Sequence, residues 1–535
     1  MLDLETAALP DSSPVAPGST ANSRKILCVF PRYEPSLGSF EYAYDVTDGL
    51  RAFMPPQGLL VIAAALPPGW EVRFVDENIR RAGRADFRWA DAVFVSGMHV
   101  QRRHIESIRA RAEKFGKTTV LGGPSVSATP ELYPDFDYLH VGEMGDATDA
   151  LFAALSRDPS RPSRQIVFKT QERLPLEDFP IPAYELVSFD HYFIGSLQFS
   201  SGCPYECEFC DIPGLYGRVP RLKSPQRILA ELDKLRACGL STSVYFVDDN
   251  FIGNRRAARE LLPHLIAWQE RNSFPLSFAF EATLNLAKYD DLLASLRDAC
   301  FTAVFVGVET PEPEALRSMS KEQNMTMPIL DAVQKLNAHG MEVIAGIIVG
   351  LDTDGPQTQN NIIAFIEQSQ IPMLTLNLLQ ALPRSPLYDR LTSENRIDND
   401  ERRESNVVFK APYNQTVSMW RDCLEYAYDP ARIYARYEHL TQNTFPHRRP
   451  RPRAPDQVTR KNIRRGFKML FLICWKLGVI ADYRKIFWAF AWPRLKKGQI
   501  PDVISIGILT KHLITFSRKA CAGKLNASNY SSKLR

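Results

Sequence analysis

The chain contains no run of about 18 uncharged apolar residues, so no membrane-spanning helix is expected. Residues 1–23 hold Asp3, Glu5 and Asp11 and no Lys or Arg before Arg24, whereas an export signal needs a basic start and an apolar run. Broken by Pro10, Pro14 and Pro17, that segment reads as a disordered lead-in, and a cytoplasmic protein is expected. Cysteine is scarce, nine in 535 residues, too few for a disulfide scaffold. Net charge is small at +4, which argues against a dedicated nucleic-acid binder. No period of about 20–50 residues recurs, so this is not a repeat array. What remains is 45% hydrophobic and 24% charged, enough to bury large cores, in a chain long enough for two or three domains.

From Lys25 to Asp158 short apolar runs alternate with helical patterns. The runs are 25–31, 70–76, 92–97, 118–122 and 138–142, with helical spacing at 56–66 and 103–115. Such alternation predicts an α/β domain with a parallel sheet covered on both faces. Several runs end in Gly or Asp (Asp76, Gly97, Gly122, Gly123, Gly142). In open α/β sheets ligands bind beyond the carboxyl ends of the strands, and small residues there admit a bulky one.

Residues 159–194 read as a linker. Alternation then resumes over 195–391, with strands expected near 195–200, 243–248, 276–281, 303–308, 343–350 and 374–379 and helices at 225–238 and 256–270. Six βα units predict a (βα)6 partial TIM barrel with function at the strand ends. Residues 392–535 read as a helical C-terminal region. Within it, 448–465 carries eight cations (Arg448, Arg449, Arg451, Arg453, Arg460, Lys461, Arg464, Arg465) against Asp456, and an apolar, aromatic helix is expected over 466–492.

Three of the nine cysteines fall in Cys203-Pro-Tyr-Glu-Cys207-Glu-Phe-Cys210, directly after the first strand of the second domain. Thiolates are the ligands iron–sulfur clusters need. Three from one loop leave one iron of a four-iron cluster open for a non-protein ligand. Zinc is the alternative, with His191 or a distant Cys as a fourth ligand.

This motif and its place resemble the radical S-adenosylmethionine (SAM) enzymes. The resemblance implies a 4Fe–4S cluster on Cys203, Cys207 and Cys210 whose open iron binds SAM. A 5′-deoxyadenosyl radical then abstracts a substrate hydrogen. It further implies SAM contacts from Phe209, from Asp248 in Val247-Asp248-Asp249-Asn250, from Glu281, from Glu309 in Gly307-Val308-Glu309-Thr310, and from Gly350. The Asp248 turn departs from the family's usual Gly-Gly-Glu.

The first domain resembles the flavodoxin-like (Rossmann-type) cobalamin-binding domain that precedes many such barrels. Asn78, Ser96, Gly97, Gly122, Gly123, Pro124, Gly142 and Glu143 are the implied cobalamin contacts. The D-x-H-x-x-G motif that ligates cobalt is absent, and His99 after the third strand is a further histidine near that edge. Cobalamin with an adenosyl radical implies methylation of an unactivated carbon from methylcobalamin.

Residues 25–440, through segments such as 31–46, 96–101, 121–148 and 247–254, are similar to the bacterial hopanoid C-2 methylases. The implied substrate is a hopanoid lipid methylated on ring A, and the implied electron donor is of flavodoxin or ferredoxin type. The basic and aromatic segment 448–492 is a candidate for peripheral contact with the inner face of a membrane. The alternatives are a related cobalamin-dependent radical enzyme on another substrate, such as a cyclase, and a non-catalytic corrinoid- or zinc-binding regulator.

Overall fold

Apolar runs become strands here, and in the central strands of the first sheet nearly every residue is buried. In a computed structural model, which describes residues 23–400, 402–451 and 459–524, the chain divides into two compact units. One comprises the described residues up to Tyr33 and Pro56–Val187. The other comprises Glu34–Pro55 and the described residues from Ser188 onward. Most of the expected lead-in, and Arg453 with Asp456 of the basic stretch, lie outside the described residues.

The first unit is a six-stranded parallel sheet: β1 (Lys25–Phe30), β2 (Glu71–Asp76), β3 (Ala92–Ser96), β4 (Thr118–Gly122), β5 (Tyr138–Val141) and β6 (Ile166–Lys169), in the order β2-β1-β3-β4-β5-β6. The first five strands have flavodoxin-like order, with the topological switch between β1 and β3. Alternate residues fill opposite cores: Leu27, Val29, Val93, Val95 and Leu121 on one side, Ile26, Cys28, Phe94, Val120 and Tyr138 on the other. Strand β6 lies inside the stretch expected to be a linker. It is a sheet edge, half-buried on alternate residues, and its Pro- and Ser-rich approach conceals it in the sequence.

The second unit carries β7 (Gly195–Leu197), a two-residue pair β8 (Ser200–Ser201) and β9 (Arg221–Leu222), then β10 (Ser243–Phe246), β11 (Ser277–Ala282), β12 (Phe301–Glu309), β13 (Glu342–Val349) and β14 (Met373–Leu378). The six long-range strands run parallel in the order β7-β10-β11-β12-β13-β14, which is the expected (βα)6 partial barrel. Its core is aromatic. The Phe301 ring lies 5.0–5.5 Å from the rings of Phe246, Phe251, Phe278 and Phe280.

Helices at Tyr413–Ala427 and Pro430–Asn443 follow. Trp420 is buried, and its indole N–H donates to the Leu376 carbonyl at 2.9 Å, which ties the first of them to β14. The single helix expected over 466–492 is instead two, Arg460–Trp475 and Arg484–Lys496, separated by a π-helical turn at Lys476–Ile480. The break is packed by Trp488, whose ring would lie 2.7 Å from a Cβ at Gly478. A further helix, Ile500–Cys521, falls within the expected helical C-terminal region.

Residues 34–55 leave the first sheet after β1 and pack in the second unit. Ser196 donates to the Pro55 carbonyl at 2.9 Å, and the Phe40 ring lies 5.0 Å from Phe53 and 5.2 Å from His512.

Removing the ring at the centre of the aromatic core is expected to be costly. Phe301→Ala should destabilise the protein by about 3–5 kcal/mol, and Phe301→Leu by much less. Thermal or urea unfolding of the two variants checks this.

Candidate active site

The cysteine loop begins where β7 ends and is fixed by two adjacent carboxylates after β10. Buried Asp248 accepts hydrogen bonds from the backbone N–H groups of Ser200 and Phe199, and Asp249 accepts from Gly202 N–H at 2.7 Å. Burial pushes the Asp248 carboxyl up to about 7, against the lowering effect of those same bonds. Cys203 N–H donates to Gly217 C=O at 3.2 Å, and Cys210 N–H to Cys207 C=O at 3.0 Å.

A polar chain encloses the loop. Asn285 donates to Tyr205 Oη at 2.7 Å, Thr283 donates to Asn285 at 2.8 Å, and Asn250 donates to Thr283 at 3.4 Å with its amide 4.0 Å from Cys203 Sγ. From the other side Arg390 binds both carboxylate oxygens of Glu208 and reaches Asp352 at 2.9 Å.

All three cysteines are free thiols. Burial pushes the Cys203 and Cys210 thiols up, so a thiolate here requires a compensating positive charge. Two features supply donors and charge. Gln323 Nε2 lies 3.2 Å from Cys207 Sγ. Lys321 Nζ lies 2.6 Å from Glu309 Oε1 and 5.4 Å from the centre of the Phe209 ring. Burial alone would lower the Lys321 ammonium, but the Glu309 carboxylate and Cys207 raise it above the usual lysine range, with Cys210 adding to the effect.

Glu309 sits at the end of β12 with φ +65°, after a register shift between Gly307 and Glu309. A Cβ at Gly307 would lie 2.8 Å from Lys321 Nζ, so only glycine leaves room for the pair.

Among the described residues no three His, Cys, Asp or Glu side chains converge on one metal ion.

The other expected SAM contacts stand at strand ends of the same barrel. Glu281 on β11 is well enclosed and accepts from the Tyr245 hydroxyl at 3.1 Å. Burial raises its carboxyl to about 7, with Asp249 and Asp248 adding to the rise. Gly350 after β13 has φ +96°, and the Phe409 ring occupies the space of a Cβ. Gly350 N–H donates to Asp354 at 2.6 Å.

In the first unit, the residues expected to hold cobalamin gather at the carboxyl edge of the sheet. Asn78 follows β2, accepts from Tyr33 N–H at 2.9 Å and donates to Asp76 at 2.7 Å. Ser96 ends β3 and Gly97 follows it, Gly122 ends β4, and Gly123 with Pro124 opens the next short helix. A Cβ at Gly123 (φ +94°) would lie 2.5 Å from Ser96 Oγ, and one at Gly97 would lie 2.9 Å from Pro31 Cγ. Gly142 and Glu143 follow β5, and Glu143 pairs with Arg173 at 3.3 Å. All but Gly97 are half-buried. The four glycines keep side-chain bulk low along this edge. His99 follows β3, and burial together with Arg102 lowers its imidazole below the usual histidine range.

Lys321, Gln323 and Asn324 escape sequence reasoning. They lie in a polar turn that reads as a solvated loop, and only the spacing of twelve residues from Glu309 hints that they return to the strand end. Arg390, on the helix Pro386–Ser393, escapes because its partner Glu208 lies 182 residues away in the sequence.

The chain matches the B12 binding domain over residues 45–152, the Radical SAM superfamily over 197–366 and the Domain of unknown function (DUF4070) over 385–526. It is 55% identical, over 97% of its own length and 98% of the relative's, to the Hopanoid C-2 methylase of Rhodopseudomonas palustris (strain TIE-1). It is 23% identical to the Bacteriochlorophyllide d C-12(1)-methyltransferase of Chlorobaculum tepidum, over 63% of this chain and 73% of that one.

Two solved structures share the fold. The cobalamin-dependent S-adenosylmethionine radical enzyme OxsB, with aqua-cobalamin and S-adenosylmethionine bound, matches with TM-score 0.58 and 13% identity over 95% of this chain and 85% of that one. The radical S-adenosylmethionine methyltransferase TsrM of Kitasatospora setae matches with TM-score 0.52 and 16% identity over 70% and 78%. With a B12-binding region ahead of a radical SAM region and near-complete overlap with that relative, the chain belongs to the hopanoid C-2 methylase family.

Proposed function

We propose that this protein methylates C-2, an unactivated carbon in ring A of a hopanoid lipid, to give 2-methylhopanoids. The observation that carries this is 55% identity over 97% of the chain to a hopanoid C-2 methylase, in a chain that has a three-thiol loop and a glycine-lined sheet edge. When bound, a 4Fe–4S cluster with SAM supplies a 5′-deoxyadenosyl radical and cobalamin supplies the methyl group.

The chain's own residues bind and orient. Cys203, Cys207 and Cys210 hold the cluster. The Lys321 ammonium offsets thiolate charge, and Glu309 fixes where that ammonium stands. Gln323 donates toward Cys207 and so stabilises its thiolate. Phe209, Glu281, Glu309 and Gly350 line the strand ends where SAM is expected, and Asp248 acts on the site through the loop it holds. Asn78, Ser96, Gly97, Gly122, Gly123, Pro124, Gly142 and Glu143 form the cobalamin rim. Glycine there permits close approach of a bulky corrin. Electrons come from a donor of flavodoxin or ferredoxin type. No helix among the described residues is long and apolar enough to cross a membrane, and the lipid substrate is met at the inner face of a membrane through 448–492.

The direct test is turnover by anaerobically reconstituted protein with SAM, methylcobalamin, a reductant and detergent-dispersed hopanoid. A product heavier by one CH2 is expected, together with 5′-deoxyadenosine. Cys203→Ala, Cys207→Ala and Cys210→Ala should each abolish 5′-deoxyadenosine formation, and retained cleavage would contradict the assignment of the loop.

Lys321→Met leaves Glu309 buried and unpaired, so a loss of about 3–5 kcal/mol is expected. Adding Glu309→Gln should recover much of it, as read by thermal unfolding and iron content.

Glu281 has a folded-state value near 7, above its ordinary 4.5. Its contribution to stability is therefore fully present below about pH 4.5 and lost as pH rises to about 7. Asp248 acts in the same direction. Glu281→Gln should give a shallower fall in melting temperature across that window, and an unchanged slope would show that Glu281 does not titrate there.

A further inference from the structure

The helix Arg460–Trp475 is turned the wrong way for water. A helix on an aqueous surface faces outward with charge and inward with apolar residues. Here Ile463, Phe467, Phe471 and Trp475, each four residues after the last and so on neighbouring turns, are 48%, 65%, 66% and 49% exposed. Val479 and Ile480 extend the stripe through the π-helical turn at 53% and 58%. The opposite side of the helix is already engaged. Ile473 is buried and would lie 2.7 Å from a Cβ at Gly507, Lys461 pairs with Asp190 at 2.7 Å, and Lys468 pairs with Asp48 at 2.6 Å.

The stripe continues beyond the turn. The Trp488 indole N–H donates to the Gly478 carbonyl at 2.9 Å, and its ring lies 6.4 Å from that of Trp492, itself 54% exposed. Aromatic residues with one apolar body and one polar tip are those that settle at a membrane interface.

Cations flank the stripe. Arg464, Arg484 and Lys485 are exposed and form no ion pair among the described residues. Beside the turn lies a cavity of about 420 Å³ whose wall mixes Leu477, Ile480 and Ile514 with Lys476, Lys511 and Arg518. An apolar crest bordered by positive charge matches acyl chains beneath anionic headgroups. A second copy of the chain is a poor occupant, because a two-fold contact through this stripe would set the flanking cations against one another.

We propose that the face made by Ile463, Phe467, Phe471, Trp475, Val479, Ile480 and Trp492 docks on the surface of an anionic bilayer, with the helix lying in the interface plane. The face itself stands on geometry; its use in presenting the enzyme to a membrane-resident substrate rests on the proposed lipid methylation.

The test is co-sedimentation of the full chain with vesicles of phosphatidylglycerol and phosphatidylcholine, and with vesicles of phosphatidylcholine alone. The parent protein should bind the anionic vesicles and bind the neutral ones much less. The double variant Phe467→Ser/Phe471→Ser should lose about tenfold or more in partitioning. Arg464→Glu/Lys485→Glu should lose severalfold, and more of its binding should survive at high salt than at low salt relative to the parent. Melting temperature checks that both variants fold, as exposed positions should allow.

Equal sedimentation of parent and Phe467→Ser/Phe471→Ser, or no binding by the parent, overturns the proposal. So does a parent dimer on size exclusion that the same substitutions convert to monomer, which would assign the stripe to a second copy. Turnover of detergent-dispersed hopanoid separates the two readings. If the parent binds vesicles but leaves that hopanoid unmethylated, the substrate reading falls and the docking face remains.

Discussion

Three cysteine thiols are crowded into eight residues at the mouth of a parallel barrel, and burial alone would keep two of them protonated. The rest of the second unit answers that electrostatic problem. A buried ammonium, Lys321, stands beside the loop and is held there by Glu309, while amide donors from Gln323 and Asn250 approach two of the sulfurs. A lone buried lysine would tend to lose its proton. The carboxylate partner prevents this, so the site keeps a fixed positive charge where negative charge collects. Gly307 makes the arrangement sterically possible, since any side chain there would collide with the pair.

Position is the second requirement, and it is met by backbone hydrogen bonds rather than bulk. Asp248 and Asp249 both spend their carboxylates on amide groups between residues 199 and 202, which fixes how the loop leaves β7. Glu208 clamps the middle of the loop to Arg390. In the first unit the same economy works through glycine. The strand ends proposed to meet cobalamin carry several glycines, and Gly123 and Gly97 fit where a methyl group would clash. In both units the proposed site residues stand at the carboxyl edge of a parallel sheet, one at a topological switch and one at a barrel mouth.

Much of this was legible in the sequence. Every strand from β1 to β5, and the six of the barrel sheet, lay within a residue or three of its expected position, because buried parallel strands read as uninterrupted apolar runs. The cysteine spacing marked out the loop that the fold places at the end of β7. Other features were hidden for identifiable reasons. Strand β6 is a half-buried edge whose pattern is too short to stand out. Residues 34–55 fold with the second unit, a choice set by aromatic partners such as His512, hundreds of residues away. Lys321 is polar in sequence and buried in space, and periodicity does not register such a residue. Asp248 shows the limit of a motif: its position near the site was readable, but the backbone amides that occupy its carboxylate were not.

Methylation of ring A of a hopanoid is the reaction proposed for this machinery. It is tested most directly by deleting the gene in its host and comparing extracted hopanoids by mass spectrometry with those of the parent strain. The account predicts that 2-methylhopanoids disappear while their unmethylated counterparts persist, and that reintroducing the gene restores them. An unchanged hopanoid profile would contradict it and would assign the radical and cobalamin chemistry to a different carbon.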